Sequence, residues 1–396
     1  MSLRGNLVLS TVYLSLPWIP FFPFYGLLVY TWIAFMRPHD LAWGIERQPL
    51  AYYVAVAMLI GLGIAILQGR ERLMVWKIQN VLLIALLAWF WWATYNAIAY
   101  NPARREFDLF AKVVLISLIT TGLVNSEYRF RWIYLVTAIS LGMLGFKYGL
   151  FGLVRGGADF EWGPGGFMKD NNGFAVGLNM ALPLLFGIAV GEKSRWLRIL
   201  GGVLGAFCIV TIIFTFSRGG FLSLAVVISM LLLRTKKRTL SVLVLILGIL
   251  TVFFMTPESF HQKYQARVET ISEYEEDGSA MGRIDARKTA LLVLQDNKWT
   301  GVGPDNFMIV YRNYSSEGKV RVSHNAFLQL LAEAGAPAAG LWVALLLVSS
   351  WKLERLRRIK VPESTSYYAS AIQVSIAAYI VGSLFLDKAI FDLLYH

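Results

Sequence analysis

One histidine, His324, stands where a polar segment gives way to an apolar run that begins at Ala326. A neutral imidazole near pH 7 is the side chain best suited to take a proton from a hydroxyl group. A histidine at such a junction can also be purely structural, so the groups that share its side of the molecule decide between the two interpretations. His39, in the segment 37–40, is the rival candidate. His324 is therefore a candidate general base.

Three arginines are placed to bind an anion. Arg283 and Arg287 are four residues apart and share one face of a predicted helix over 283–297. Guanidinium groups on one face repel each other unless an anion lies between them, and guanidinium suits bidentate phosphate contact. The alternative is an ordinary solvated amphipathic helix. Arg218 lies in the turn 216–220 between two apolar runs, where a ligand, a lipid phosphate or the preceding helix end can satisfy its charge.

Several catalytic patterns are missing from the sequence. The segment 301–307 is glycine-rich but lacks the lysine of a P-loop, and neither an Asp-x-Asp pair nor a nucleophile elbow occurs. The acidic run 273–277 could hold a divalent metal, although consecutive acids at a helix end are usually solvated. Cys208 is the only cysteine, which excludes an internal disulfide and a thiolate cluster. A base and arginines without metal or cofactor are typical of transfer from a diphosphate leaving group to a hydroxyl acceptor.

The composition places these residues in a membrane protein. Of 396 residues, 57% are hydrophobic and 16% are charged, against roughly a quarter charged in soluble domains, and the mean hydropathy is +0.56. We predict an all-α polytopic membrane protein with 11 or 12 transmembrane helices. The predicted apolar stretches are 6–36, 50–67, 79–100, 109–125, 132–150, 174–191, 196–216, 219–233, 239–256, 337–351 and 367–386. The first of these contains three prolines, so it is either a short hairpin or one broken span.

Charge fixes the predicted orientation. Four short segments carry 15 Lys and Arg residues and only three acids, Glu71, Glu192 and Glu354, so they account for the whole net charge of +12. Their basic residues are Arg70, Arg72, Lys77, Lys193, Arg195, Arg198, Arg234, Lys236, Lys237, Arg238, Lys352, Arg355, Arg357, Arg358 and Lys360. Even numbers of predicted spans separate these segments, so all four fall on one side, the cytoplasmic one. They are orientation signals, and a nucleic-acid surface would need a contiguous basic face instead.

Every candidate site residue is then predicted to lie on the opposite side of the membrane. Its predicted segments are 37–48, 101–108, 151–173, the turn at 217–220 and the long loop 257–335. A connection this long in a compact protein is usually functional. The predicted domains are a bundle over 1–256 with about nine or ten crossings, a mostly helical periplasmic loop over 257–335, and C-terminal transmembrane helices over 336–396.

Three motifs, in order, resemble the signature of the bacterial O-antigen ligase and polymerase superfamily. They are Ser217-Arg218-Gly219-Gly220, Gly301-Val302-Gly303-Pro304-Asp305-Asn306-Phe307, and Ser323-His324-Asn325-Ala326-Phe327-Leu328 with Leu331, Glu333 and Gly335. The segment 35–44 resembles the N-terminal region of O-glycosylation ligases. Each motif is loose alone, but together they cover most of the chain.

The resemblance implies a metal-independent, inverting glycosyltransferase of the GT-C type in the bacterial inner membrane. It would move a glycan from undecaprenyl diphosphate to lipid A–core on the periplasmic face, in contact with membrane lipids. By motif match His324 would be the catalytic base, and Arg218 and Arg283 would bind the donor diphosphate. Neighbouring or supporting positions are Arg287, Lys288, Ser217, Asn172 and Asn325.

Other functions stay open at this point. An O-antigen polymerase or a ligase with a protein acceptor would share the donor and differ only in the acceptor. A transporter of lipid-linked glycans is a different class, and such proteins often show internal repeats and charges deep within spans. The sequence shows no repeat and few mid-span charges, of which Lys147 is the clearest.

Overall fold

The computed structural model describes residues 2–46, 48–155, 160, 162–234, 239, 242–243, 246, 278–315, 319–359 and 361–396. The acidic run 273–277 lies outside these residues, and of the predicted span 239–256 only residues 239, 242, 243 and 246 are described.

The described part of the chain is almost entirely helical, as the hydropathy pattern predicts. Its helices are α1 (Leu3–Ser15), α2 (Pro23–Met36), α3 (Leu50–Leu67), α4 (Ile78–Tyr95), α5 (Tyr100–Leu123), α6 (Glu127–Val154), α7 (Asn171–Gly191), α8 (Arg195–Phe214), α9 (Arg218–Arg234), α10 (Gly278–Asp296), α11 (Phe307–Tyr314), α12 (Ala326–Arg358), α13 (Glu363–Gly382) and α14 (Asp392–Tyr395). The prediction of an all-α polytopic membrane protein is confirmed.

Six of these helices, α3, α4, α6, α7, α8 and α12, are long and apolar enough to cross a membrane. Each coincides with a predicted span. Helices α5, α9 and α13 lie at three further predicted spans and are shorter or more polar. The count of 11 or 12 crossings stays a prediction.

The proline-rich first stretch forms two helices. Pro23 occupies the first turn of α2, where its missing N–H leaves no intrahelical bond unmade. Helices α1 and α2 have 13 and 14 residues, and each alone is shorter than the roughly 20 residues of a regular span.

A short β-hairpin interrupts the segment 151–173, for which the sequence predicted only an outside loop. Strands β1 (Trp162–Gly165) and β2 (Met168–Asp170) pair antiparallel. Gly165 and Gly166, with φ of 101° and 59°, make the turn that a side chain would strain. The hairpin leads straight into α7, so Asn171 and Asn172 lie on the first turn of that helix.

Helix α7 forms the centre of the bundle and is buried along almost its whole length. It packs against α6, α8, α9 and α13. The Tyr134 hydroxyl of α6 donates to the Leu184 carbonyl at 2.8 Å, and Gly187 provides the space for that contact. This contact fixes the C-terminal half of the central helix against α6.

Contacts between segments divide the molecule into two ends. At one end Arg131 donates two hydrogen bonds to Glu192, at 2.8 and 2.7 Å, and Lys352 donates to Gln79 at 2.7 Å. These contacts join the segments predicted to be cytoplasmic, and we call this the basic end. The other end, called the site end, joins the segments predicted to lie opposite. Its backbone contacts include Ile98 N to Val302 O and Ala326 N to Ser383 O.

Labelling of introduced cysteines tests which end faces the cytoplasm. In a Cys208→Ala background, which removes only a buried thiol, Arg104→Cys and Lys319→Cys place exposed thiols at the site end. Arg70→Cys and Lys193→Cys are the matched positions at the basic end. We expect a membrane-impermeant maleimide to label the first pair in intact spheroplasts and the second pair only after permeabilisation. The reverse pattern would contradict the predicted orientation.

Candidate functional site

His324 occupies a strained backbone position immediately before α12. Its φ is +48°, a left-handed conformation that non-glycine residues rarely adopt. Ser323 on one side donates through Oγ to the Asn325 carbonyl at 2.9 Å, and its N–H donates to Gln329 Oε1 at 3.0 Å. The Asn325 side chain caps α12 by accepting from the Leu328 N–H at 3.1 Å. Local hydrogen bonds therefore hold the backbone on both sides of His324 in place.

Helix α10 carries the paired arginines to this position. It packs on α11 and α12 through a small apolar cluster that includes Ala286, Ala290 and Val293. Arg287 Nη2 donates to the Leu384 carbonyl at 2.8 Å. Its Nε is buried and has no hydrogen-bond partner among the described residues.

Two neighbours on the same helix point elsewhere. Asp285 accepts hydrogen bonds from Tyr311 at 2.8 Å and from Ser315 at 2.5 Å, so it fastens α10 to the end of α11. Lys288 is exposed on the surface. Of the three positions predicted between 283 and 288, Arg283 and Arg287 are thus the ones whose charges act on His324.

The electrostatic surroundings keep His324 neutral. Burial lowers the pKa of its imidazole to about 4, and the positive charge of Arg283 adds to this effect, with smaller contributions from Arg287 and Arg321. Asp170 opposes the shift. A neutral imidazole beside several guanidinium groups can accept a proton from a hydroxyl while the arginines stabilise an anion.

The motif around Arg218 reaches the same region from α9. Ser217 is buried, and its hydroxyl donates to Asn172 Oδ1 at 2.7 Å and accepts from the Gly220 N–H at 3.0 Å. These bonds fix the start of α9 against the start of α7. Arg218 is the first residue of α9 and is half-buried. Ser217 and Asn172, predicted only as supporting residues, are in direct contact.

A segment after α13, residues 383–388, contacts several elements of the site, and no sequence motif identifies it. The Ser383 carbonyl accepts from the first residue of α12, and the Leu384 carbonyl accepts from Arg287. Phe385 packs against Gly219, beside Arg218. Lys388 forms an ion pair with Asp170 at 3.6 Å. These contacts link residues that are far apart in the chain, so no local sequence pattern predicts them.

The glycine-rich segment 301–307 braces the site from behind. The Gly303 N–H donates to the Glu333 carbonyl at 2.8 Å, and the Phe307 N–H donates to the Glu333 carboxylate at 3.3 Å. The Asn306 side chain accepts from Ala99 N at 2.7 Å and donates to Ala99 O at 3.1 Å. This segment is a turn that closes the loop onto α12, in keeping with its missing P-loop lysine.

The rival base lies in a different cluster. His39 Nε2 is 3.7 Å from Asp40, and Arg37 forms an ion pair with Asp40 at 2.5 Å. The Arg37 guanidinium packs on Gly166 of the hairpin. Burial lowers the pKa of His39 as well, but Arg37 is the arginine that acts on it, not those of α10. His39 thus stands apart from the arginines of α10.

Residues 203–343, which include Arg218, Arg283, Arg287 and His324, match the family model described as O-antigen ligase. This match supports an O-antigen ligase assignment for the region that carries the candidate site. Residues 6–178 match a family of unknown function, and that region supplies His39, Asp170 and Asn172. No curated protein matches the chain.

With six helices that can cross a membrane, the chain is a multi-pass membrane protein. The match to the O-antigen ligase family supports a ligase- or polymerase-type function and, in general terms, a lipid-linked glycan and a lipid acceptor as substrates. The segment 383–388 lies beyond both matched regions.

Removal of the Asn306 side chain tests the brace. Asn306 is fully buried, and its loss leaves the N–H and C=O of Ala99 without these partners, each at a cost of about 1–3 kcal/mol. We expect Asn306→Ala to lower the midpoint of thermal unfolding in detergent by several degrees. Asn313→Ala, an exposed amide on α11, is the matched control and should leave the midpoint unchanged. Equal midpoints for the two variants would contradict the bracing role.

Proposed function

We propose that this protein is an O-antigen ligase, which transfers a glycan from undecaprenyl diphosphate to lipid A–core without metal and with inversion at the anomeric carbon. The observation that supports this proposal most is the placement of a neutral histidine among arginines at the site end. The chemistry needs a base for the acceptor and positive charge for the leaving group, and both occur within one cluster.

In the proposed reaction, the acceptor hydroxyl attacks the anomeric carbon of the donor sugar as its proton passes to the His324 imidazole. The bond from that carbon to the diphosphate oxygen breaks, and the electron pair leaves with undecaprenyl diphosphate. Attack from the face opposite the leaving group inverts the anomeric centre. The energy resides in the donor, so no nucleotide is needed.

The arginines would stabilise the leaving group. Negative charge grows on the bridging oxygen of the diphosphate as the bond breaks, and Arg283, Arg287 and Arg218 would bind its oxygens. Loss of one such donor typically lowers kcat by about 10²–10³-fold. Lys288 would attract the donor only from a distance, since it lies on the surface.

The proposed side of the membrane follows from charge. Short basic loops face the cytoplasm, which would put the basic end there and the site end in the periplasm of the inner membrane. Lipid-linked glycans presented at that face would reach the site from the surrounding bilayer.

Substitution of His324 tests the mechanism. A positioned general base contributes about 10²–10⁴-fold, so we expect His324→Ala to reduce glycan transfer by at least two orders of magnitude with unchanged thermal unfolding. His39→Ala is the matched control and should retain transfer. The assay offers one lipid-linked donor to lipid A–core, to a second lipid-linked glycan and to a pilin-like protein. Retained transfer in His324→Ala would refute the mechanism, and preference for another acceptor would refute the proposed substrate.

The pH dependence gives an independent test. His324 must be unprotonated to act as a base, so activity falls when the pH drops below its pKa, which is about 4 in the free protein. A bound diphosphate adds negative charge next to the same arginines and should raise that pKa. We therefore expect the acidic limb of kcat, which reports the donor complex, at higher pH than the acidic limb of kcat/KM. Limbs that coincide would contradict contact between the diphosphate and the arginines around His324.

A further inference from the structure

Arg321 lies three residues before His324, outside every motif that the sequence analysis identified. Its guanidinium rests directly on the backbone of Gly282, in the first turns of α10. A Cβ atom added at Gly282 would lie 2.5 Å from Arg321 Nε and 2.7 Å from Nη1, closer than real Cβ contacts allow. At this distance from the backbone, only a residue without a Cβ atom leaves room for the guanidinium.

This contact places Arg321 beside the paired arginines. Gly282 immediately precedes Arg283, and Arg287 follows one helical turn later. The charge of Arg321 also acts on His324 in the same direction as the charges of those two arginines. The charges of three guanidinium groups thus act on one imidazole, and Asp170 is the carboxylate that opposes their effect on its pKa.

The glycine at 282 needs an explanation in its own right. Glycine destabilises a helix relative to alanine, and Gly282 does not have the positive φ that would require it. Helix stability alone would favour alanine at this position. Close approach of the Arg321 guanidinium is the feature of the structure that alanine would not permit.

We propose that Arg321 is a further phosphate-binding residue of the donor site, in addition to Arg218, Arg283 and Arg287, and that Gly282 holds its guanidinium in position. This proposal rests on the proposed function and extends it, because each oxygen of a diphosphate can accept hydrogen bonds from more than one guanidinium group. Arg321 would bind the same anion as Arg283, from the loop side of α10.

Direct binding tests the proposal without requiring transfer. The full chain in detergent is titrated by calorimetry with geranylgeranyl diphosphate, with the monophosphate and with geranylgeraniol. We expect Arg321→Ala to weaken binding of the diphosphate at least tenfold and to leave binding of the alcohol unchanged. Arg321→Lys should fall between, because an ammonium contacts phosphate as a point charge. Arg312→Ala, which removes an exposed arginine of α11, is the control and should bind like the unmodified protein.

Gly282→Ala provides the second route to the same result. The added methyl displaces the Arg321 guanidinium, so we expect several-fold weaker diphosphate binding together with equal or higher thermal stability. A merely structural glycine would instead lose stability. In an Arg321→Ala background the same change should have little further effect. Gly340→Ala, at a helical glycine with open space around it, is the control.

The outcomes separate this proposal from the proposed function. If Arg283→Ala loses diphosphate binding and Arg321→Ala does not, Arg321 is not a ligand and the donor site stands without it. If the losses of diphosphate binding from Gly282→Ala and Arg321→Ala are additive in the double variant, the contact between Gly282 and Arg321 is not the cause of the Gly282→Ala effect. If the unmodified protein does not distinguish the diphosphate from the alcohol, the donor site and this extension are both wrong.

Discussion

The structure depends on the gathering of positive charge around one neutral imidazole at the edge of an apolar bundle. Two unit charges 4 Å apart repel by about 4 kcal/mol at an effective dielectric constant of 20. Packing must therefore hold such groups together. Burial of an apolar side chain contributes roughly 1.5–3 kcal/mol, and the cluster of Ala286, Val293 and Phe307 between α10, α11 and α12 supplies several such contacts. Apolar packing between α10, α11 and α12 thus holds the site together, and the face that carries the arginines can bind a ligand.

Residues with a strained backbone lie in the same region of the structure. The non-glycine residues of the described chain with positive φ are Arg37, Phe216, Asp305 and His324. Each lies within or beside one of the segments that resemble ligase sequences, and all four are at the site end. Such conformations cost of order 1–3 kcal/mol each and persist where the surroundings over-determine them. The bracing bonds of Ser323, Asn306 and Ser217 are those surroundings.

Local patterns predicted much of the framework. The apolar runs at 50–67 and 174–191 coincide with α3 and α7 because a bilayer imposes the same length and composition on any span. The spacing of Arg283 and Arg287 put both on one face of a helix, which α10 shows. The hairpin at 162–170 was missed, since two strands of three or four residues with glycines and a proline carry no detectable alternation.

The sequence alone determined that this is a helical membrane protein, and it predicted that its basic loops share one side and that His324 and the paired arginines are its chemical candidates. These properties follow from hydropathy, charge and helical spacing, which are all local. Only the tertiary structure decided that Arg321 rests on Gly282, that Asp170 opposes the arginines at His324, and that residues 383–388 join α7, α9, α10 and α12. Most of these contacts connect positions tens or hundreds of residues apart. Packing of the whole bundle, with no periodic signal in the chain, brings them together.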